Sequence, residues 1–368
     1  MLLAEQIGRR DNYIDQIRLG AALAVFLGHC WHISRGPGAS VPLERILGIG
    51  FHEIAVFVFF FLSGLLIAES AQRYRGRLAG FVWARARRLL PALFVNATLI
   101  PVILMATGFW SPSGLTTLVE YAVRLSTLFA IRFTDTMAFA DLPFSHAING
   151  SVWSLRHEVI LYALIGTGAL GLPGRSRMAT WLPAGLLMLW FVLGESLSGS
   201  SPSGWRFIIV EGRYLAFAGL TGFAAHRFAG LVVIHPFGVV PLALAALLGR
   251  LFLPEPAYIV SLIVLVSYLT LVFAYSSRRP GRGLPVDISY GAYIYAWPIQ
   301  QMITGWTIQL TGEAPDPVAL AGIAILPVLL AGWLSWTLIE RPALSLKPPP
   351  DLLHGMKAGL QRFTAHMR

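Results

Sequence analysis

The sequence predicts an all-α, polytopic integral membrane protein with about ten transmembrane helices and both termini on the cytoplasmic side. Apolar residues make up 56% of the 368 residues and charged residues only 12%, about half the charged share of a soluble chain. The apolar runs are about twice as long as a barrel strand and do not alternate with polar residues. A chain so poor in charge cannot cover a globule with polar groups, which excludes a soluble enzyme, a coiled coil and a disordered chain.

Ten apolar runs indicate the transmembrane spans. They lie near residues 14–33, 50–70, 89–109, 152–171, 179–194, 208–226, 232–249, 257–275, 288–309 and 317–339. The insert 110–151 is too short for a soluble domain, but it has room for one helix at the membrane interface. We therefore predict one transmembrane domain over residues 1–346 and a basic cytoplasmic tail over residues 347–368.

The distribution of basic residues supports this count. Of the 28 lysines and arginines, 19 fall in one set of alternating loops and termini, whereas 6 fall in the other set. Cytoplasmic loops are enriched in positive charge, so the richer side is predicted to be cytoplasmic. The net charge of +10 thus has an explanation that needs no nucleic-acid partner.

Ionisable residues inside the spans are the candidate functional residues, because burying them in a bilayer is costly. Arg18 and His29 share one face of the first helix, about 16 Å apart along its axis. Glu158 is expected at the depth of His29, with Tyr162 one turn deeper. Glu53 opens the second span from the outside. Each of these residues, taken alone, is also explained as a charge at a helix end or as a buried polar residue that has hydrogen-bond partners within the bundle.

Together these groups indicate two kinds of chemistry. A neutral imidazole beside a carboxylate is a general-base arrangement that removes a proton from a hydroxyl. The arginines, which include Arg18, the Arg73–Arg88 cluster and the Arg278–Arg282 loop, form a phosphate-binding arrangement at the opposite end. The pattern therefore predicts a phosphate-bearing donor on the cytoplasmic side and a hydroxyl acceptor in the outer half.

Six motifs resemble those of the acyltransferase family 3 membrane O-acyltransferases, in the family's order. They are Arg18 with His29 ten residues beyond it, the Phe-rich Ser-Gly motif at 59–64, the Arg-x-x-Arg loop with its following proline at 81–91, Trp-Ser-Leu-x-x-Glu at 153–158, the penultimate-helix motif at 288–298 and Glu-Arg-Pro at 340–342. The resemblance covers most of the chain. One departure is Ala296, which stands where many members have a histidine.

The resemblance implies a multi-pass enzyme of the bacterial inner membrane that uses acyl-CoA, most often acetyl-CoA, to O-acylate a glycan or lipid-linked glycan. The closest likeness is to members that modify bacterial exopolysaccharides. Arg18, Arg85 and Arg88 are expected to hold the CoA phosphates, and Ser63 and Tyr162 are further candidates for the donor site.

His29 is the expected general base, with Glu158 or Glu53 orienting it. Direct transfer and an acyl-histidine intermediate both remain open.

Three other readings compete with an acyltransferase. A transporter or flippase for a sugar or lipid-linked substrate would use the same histidine and glutamates for proton coupling or substrate binding. A metal site at His29, His32, His52 and Glu53 is disfavoured because no metal-binding spacing occurs, and no metal is expected. Cys30 is a possible thiol nucleophile, although a small buried residue is the simpler explanation.

Overall fold

The computed structural model describes residues 1–9, 11–112, 115–127, 138–167, 177–199, 205–275 and 284–347. Within these ranges every regular element is helical. The Arg278–Arg282 loop and almost all of the predicted tail over residues 347–368 lie outside the described residues.

The α-helices are α1 (Ile14–Arg35), α2 (Glu44–Leu47), α3 (Phe51–Arg73), α4 (Leu78–Ala106), α5 (Leu115–Thr127), α6 (Trp153–Gly166), α7 (Arg177–Ser198), α8 (Trp205–Glu211), α9 (Arg213–Arg227), α10 (Val239–Phe252), α11 (Glu255–Tyr275), α12 (Ser289–Thr311), α13 (Pro317–Ser335) and α14 (Arg341–Ser345). Short 3-10 turns occur at Leu3–Glu5, Gly150–Val152 and Pro236–Gly238, and a π-helical turn, Trp336–Glu340, joins α13 to α14.

Six helical segments are long and apolar enough to cross a membrane, which confirms the predicted all-α membrane class. They are Ile14–Arg35, Phe51–Arg73, Leu78–Ala106, Trp181–Ser198, Glu255–Tyr275 and Pro317–Ser345. Helices also occupy the other four predicted spans, but they are shorter or more polar. The count of ten and the cytoplasmic side of the termini therefore stay predictions.

Helix α4 begins well before the predicted start at residue 89. The stretch that contains Arg85 and Arg88 is therefore helical, whereas the resemblance to the family's Arg-x-x-Arg loop predicted a loop here. Pro91 lies inside α4 and removes one backbone hydrogen bond, a loss that membrane helices tolerate.

Helix α6 begins inside the protein rather than at its surface. Asn149 and Ser151, which precede it, are fully buried. The Asn149 amide donates hydrogen bonds to the Asn96 side chain at 3.1 Å and to the Ile294 carbonyl at 2.7 Å. The chain therefore already lies deep in the bundle at Trp153, where α6 starts.

Helix α3 packs most extensively against α9. Gly64 on α3 faces Gly219 on α9, and a Cβ atom added to Gly64 would lie 2.1 Å from the Gly219 carbonyl oxygen. A side chain at position 64 would separate α3 from α9, so glycine is required there for this close contact. The Ser-Gly motif of the second span is thus also a packing motif.

Candidate functional site

A cavity of about 610 Å³ opens among helices α1, α3, α4, α6 and α12. Its polar lining includes Arg18, Ser63, Arg85, Arg88, Glu158, Tyr162 and Asp287. All five residues predicted to hold the donor are therefore brought together in one space, together with Glu158. We call this space the basic cavity.

Asp287 joins two of its arginines. One Asp287 carboxylate oxygen lies 3.0 Å from Arg18 Nη1 and 3.1 Å from Arg88 Nη2. The Ser289 hydroxyl donates to the other oxygen at 2.6 Å. Burial by itself raises the pKa of the Asp287 carboxyl, but the two arginines and Ser289 outweigh it and lower that pKa to about 2.

Asp287 is not among the residues predicted from the sequence, although its position gave a signal. It is an acidic residue directly before the penultimate-helix motif, whose start is predicted to be cytoplasmic. That places it on the same side as the arginine cluster.

Glu158 belongs to the wall of the basic cavity. Its Oε1 atom accepts a hydrogen bond from the Ser63 hydroxyl at 3.2 Å and a shorter one from the Tyr162 hydroxyl. The Arg85 guanidinium lies over the Tyr162 ring, 5.9 Å from its centroid. This position allows a cation–π contact that holds Arg85 beside the carboxylate.

Arg85 and Arg87 differ although they are two residues apart on α4. Within the described residues Arg85 has no ion pair, and its buried Nε atom has no hydrogen-bond partner. The Nε atom of Arg87 is likewise buried without a partner in the described part of the chain, but its Nη1 atom donates to the Leu344 carbonyl at 2.9 Å and to the Leu346 carbonyl at 2.7 Å. Arg85 is thus free to bind an anion in the basic cavity, whereas Arg87 ties α4 to the end of the last helix.

His29 lies in a second cluster, formed mainly by aromatic rings. It is buried, and its ring centroid is 4.9 Å from that of Trp297 and 6.3 Å from that of His52. His29 Nδ1 is buried and has no hydrogen-bond partner among the described residues. His52 also contacts His32, with 3.3 Å between their Nε2 atoms. We call His29, His32, His52 and Trp297 the histidine cluster.

The structure does not bring the predicted carboxylates against His29. Glu158 lies instead with the arginines, because α6 starts deep in the bundle and its second turn reaches the level of Ser63. The Glu53 carboxylate accepts a hydrogen bond from the Gly50 amide at 3.0 Å and so caps α3. No group of three histidine, cysteine, aspartate or glutamate side chains in the described part of the chain could hold a metal ion.

The remaining polar residues of α6 have structural partners. Arg156 forms an ion pair with Glu211. The fully buried His157 lies 3.1 Å from both the Trp153 and the Ile208 carbonyl oxygens, and it stacks on Trp190. These contacts attach α6 to α7 and α8, away from the basic cavity.

Cys30 is fully buried, with its sulfur 2.9 Å from the Gln300 amide nitrogen. This contact joins α1 to α12.

The apolar helices thus define an all-helical membrane protein that has an arginine-lined cavity and, further along the same helices, a buried histidine. The chain belongs to the acyltransferase 3 family, whose model, described as an acyltransferase domain, matches residues 11–337. The resemblance seen in the six motifs is thereby confirmed.

Two relatives match over almost their whole length. The chain is 28% identical to an O-acetyl transferase of Shigella phage Sf6, over 92% of this chain and 98% of the relative. It is 24% identical to nodulation protein 10 of Rhizobium leguminosarum bv. viciae, over 92% of this chain and 95% of that relative. No solved structure matches the chain significantly.

Proposed function

We propose that this protein is a membrane-embedded O-acyltransferase that moves an acetyl group from cytoplasmic acetyl-CoA to a hydroxyl of an extracytoplasmic or lipid-linked glycan. The observation that carries the proposal is the convergence of Arg18, Arg85 and Arg88 on one cavity. The name of the phage relative supports acetyl transfer to oxygen, and the glycan acceptor and the inner-membrane location follow from the resemblance of the motifs.

The basic cavity suits the phosphates of CoA. Five arginines and four carboxylates line the cavity, so its charged side chains leave an excess of one positive charge even when every carboxylate is ionised. Arginine binds phosphate oxygens through pairs of charge-assisted hydrogen bonds. Arg85 has no ion pair to break among the described residues, and Arg18 and Arg88 share one carboxylate between them.

The histidine cluster suits removal of a proton from the acceptor hydroxyl. A neutral His29 accepts the proton while the hydroxyl oxygen attacks the thioester carbonyl. The carbon–sulfur bond then breaks, and the CoA thiolate leaves and takes up that proton. Arg18 and His29 lie about 16 Å apart along α1, a distance of the order of the pantetheine arm between the CoA phosphates and the thioester.

Binding of acetyl-CoA by the purified protein tests the donor site. Removing an arginine that contacts a phosphate costs about 1.5–3 kcal/mol, so we expect Arg85→Ala and Arg88→Ala each to weaken binding about tenfold or more. Arg87→Ala is the matched control on the same helix, and its affinity should stay within about twofold of the wild type. Thermal stabilisation by titrated acetyl-CoA gives the dissociation constants.

Two outcomes would overturn the proposal. If acetyl-CoA neither binds nor stabilises the protein while a sugar or lipid-linked sugar does, a transporter replaces the acyltransferase. If acetyl-CoA binds equally well to the wild type and to both arginine variants, the basic cavity is not the donor site.

A further inference from the structure

The basic cavity does not extend to His29, and on α1 its last lining residue is Arg18, about 16 Å along the helix from His29. On α12, Tyr293 is the last residue that lines it, and Trp297, one turn further along, contacts His29. On α3 the cavity ends at Phe59, about 10 Å along the helix from His52, which also contacts His29. An acyl donor that reaches His29 from this cavity must therefore pass Phe59 and Tyr293.

Three side chains close this end of the cavity. The rings of Phe59 and Tyr293 meet edge to face, with 5.9 Å between their centroids. The hydroxyls of Tyr293 and Ser154 are 2.7 Å apart and share a hydrogen bond. The closure thus joins α3, α6 and α12 through one ring contact and one hydrogen bond.

The part of the donor that crosses this point is narrow. In CoA the branched portion of the pantetheine arm, with its two methyl groups, adjoins the diphosphate, whereas the rest is an unbranched chain that ends in the thioester. With the phosphates at the arginines, the unbranched portion and the acyl group are what pass Phe59. The width of the acyl group is therefore the property that this point can discriminate.

We propose that Phe59 and Tyr293 form a constriction that selects acyl groups by width, so that acetyl passes and branched acyl groups do not. This inference rests on the proposed function, because it assumes that the donor enters through the basic cavity. Phe59 is then a specificity-determining residue, and Tyr293 is a positioning residue that Ser154 holds across the path.

Competition between acetyl-CoA and isobutyryl-CoA tests the constriction. Inverted membrane vesicles that contain the natural acceptor receive both donors together, and mass spectrometry of the acylated product gives the ratio of the two kcat/KM values. We expect Phe59→Ala to shift this ratio toward isobutyryl by about tenfold or more, as removal of a steric barrier in an apolar site does. Because both donors compete for one preparation, a change in stability or yield leaves the ratio unchanged.

Three further variants make the test independent of how well Phe59→Ala folds. Phe59→Leu removes less volume, and about a threefold shift in the same direction is expected. Leu66→Ala is the matched control, since Leu66 lines the same cavity away from its closed end, and its ratio should match the wild type. Tyr293→Phe keeps the ring but loses the hydrogen bond to Ser154, so a shift toward isobutyryl smaller than that of Phe59→Ala is expected.

The possible failures are distinguishable. If wild-type vesicles transfer neither acyl group, the proposed function fails. If they transfer acetyl but Phe59→Ala or Phe59→Leu leaves the isobutyryl-to-acetyl ratio unchanged, the proposed function survives and the constriction is refuted. The same holds if Leu66→Ala shifts the ratio as much as the Phe59 variants do.

Discussion

The basic cavity and the histidine cluster differ in how their polar groups are satisfied. In the cavity the two carboxylates are engaged, Asp287 by two arginines and Glu158 by two hydroxyls. In the cluster, Nδ1 of both His29 and His52 is buried without a hydrogen bond among the described residues. The first arrangement holds charge in place, whereas the second leaves an imidazole nitrogen free. This difference is consistent with the proposed function, in which one region binds the donor and the other performs the proton transfer.

His29→Ala gives the largest expected effect and separates the two regions most clearly. Loss of a general base lowers the rate of transfer by about 10²–10⁴-fold. The affinity for acetyl-CoA should stay within about twofold, because His29 does not line the basic cavity. Transfer of labelled acetyl groups in membrane vesicles and thermal stabilisation by acetyl-CoA measure the two quantities.

His226→Ala on α9 is a suitable control for this experiment, since His226 lies on a helix outside the histidine cluster. It should retain both transfer and binding. Near wild-type transfer by a folded His29→Ala protein would remove His29 from the mechanism.

Asp287→Asn tests the ion pairs of the basic cavity. The change leaves Arg18 and Arg88 facing one another without their shared anion, and breaking a buried pair is strongly destabilising. Arg88 is about one-third exposed, so we expect the smaller loss of about 1–3 kcal/mol in the free energy of unfolding. Thermal unfolding in detergent measures it, and acetyl-CoA should reduce the difference because its phosphates replace the missing anion.

Asp316→Asn is the matched control, because Asp316 pairs with Arg35 at the exposed surface. Asparagine also preserves the cap that Asp316 provides at α13. The expected loss in the free energy of unfolding is below about 1 kcal/mol.

The lowered pKa of Asp287 means that the stabilisation from its ion pairs is present above pH 4 and is lost as the pH falls toward about 2. The difference between the two variants should therefore be constant from pH 5 to 8. Equal losses in both variants would show that Asp287 has no special role.

Glu53→Gln gives the smallest expected effect. In the structure Glu53 caps α3 through Gly50, and glutamine retains an oxygen that can accept the same hydrogen bond. We expect transfer to stay within about twofold of the wild type, whereas Glu53→Ala loses the cap and about 0.5–2 kcal/mol of stability. A drop of about tenfold or more in transfer by Glu53→Gln, with acetyl-CoA binding intact, would instead support the role beside His29 that the sequence predicted.

The sequence was sufficient to predict the membrane class and to single out Arg18, Arg85, Arg88 and Glu158, because buried charge is costly and therefore conspicuous. The sequence was not sufficient to predict which residues Glu158 contacts. The predicted depth assumed that the fourth span starts at the surface, but Asn149 is buried and already hydrogen-bonded inside the bundle. Asp287 was missed for a related reason, since its significance depends on Arg18 and Arg88, which are remote in sequence. Both residues are placed by contacts between segments that are distant in sequence. The positions of the apolar runs give no information about such contacts.

The most direct test of the account is an experimental structure of the protein in a lipid nanodisc with a non-hydrolysable acetyl-CoA analogue. We predict that the CoA phosphates lie within hydrogen-bond distance of Arg18, Arg85 and Arg88. The arm should separate Phe59 from Tyr293 and place the thioester position beside His29. An analogue bound outside the basic cavity, or one whose acyl end stays at Glu158 with the Phe59–Tyr293 contact intact, would contradict the division between a donor cavity and a catalytic histidine.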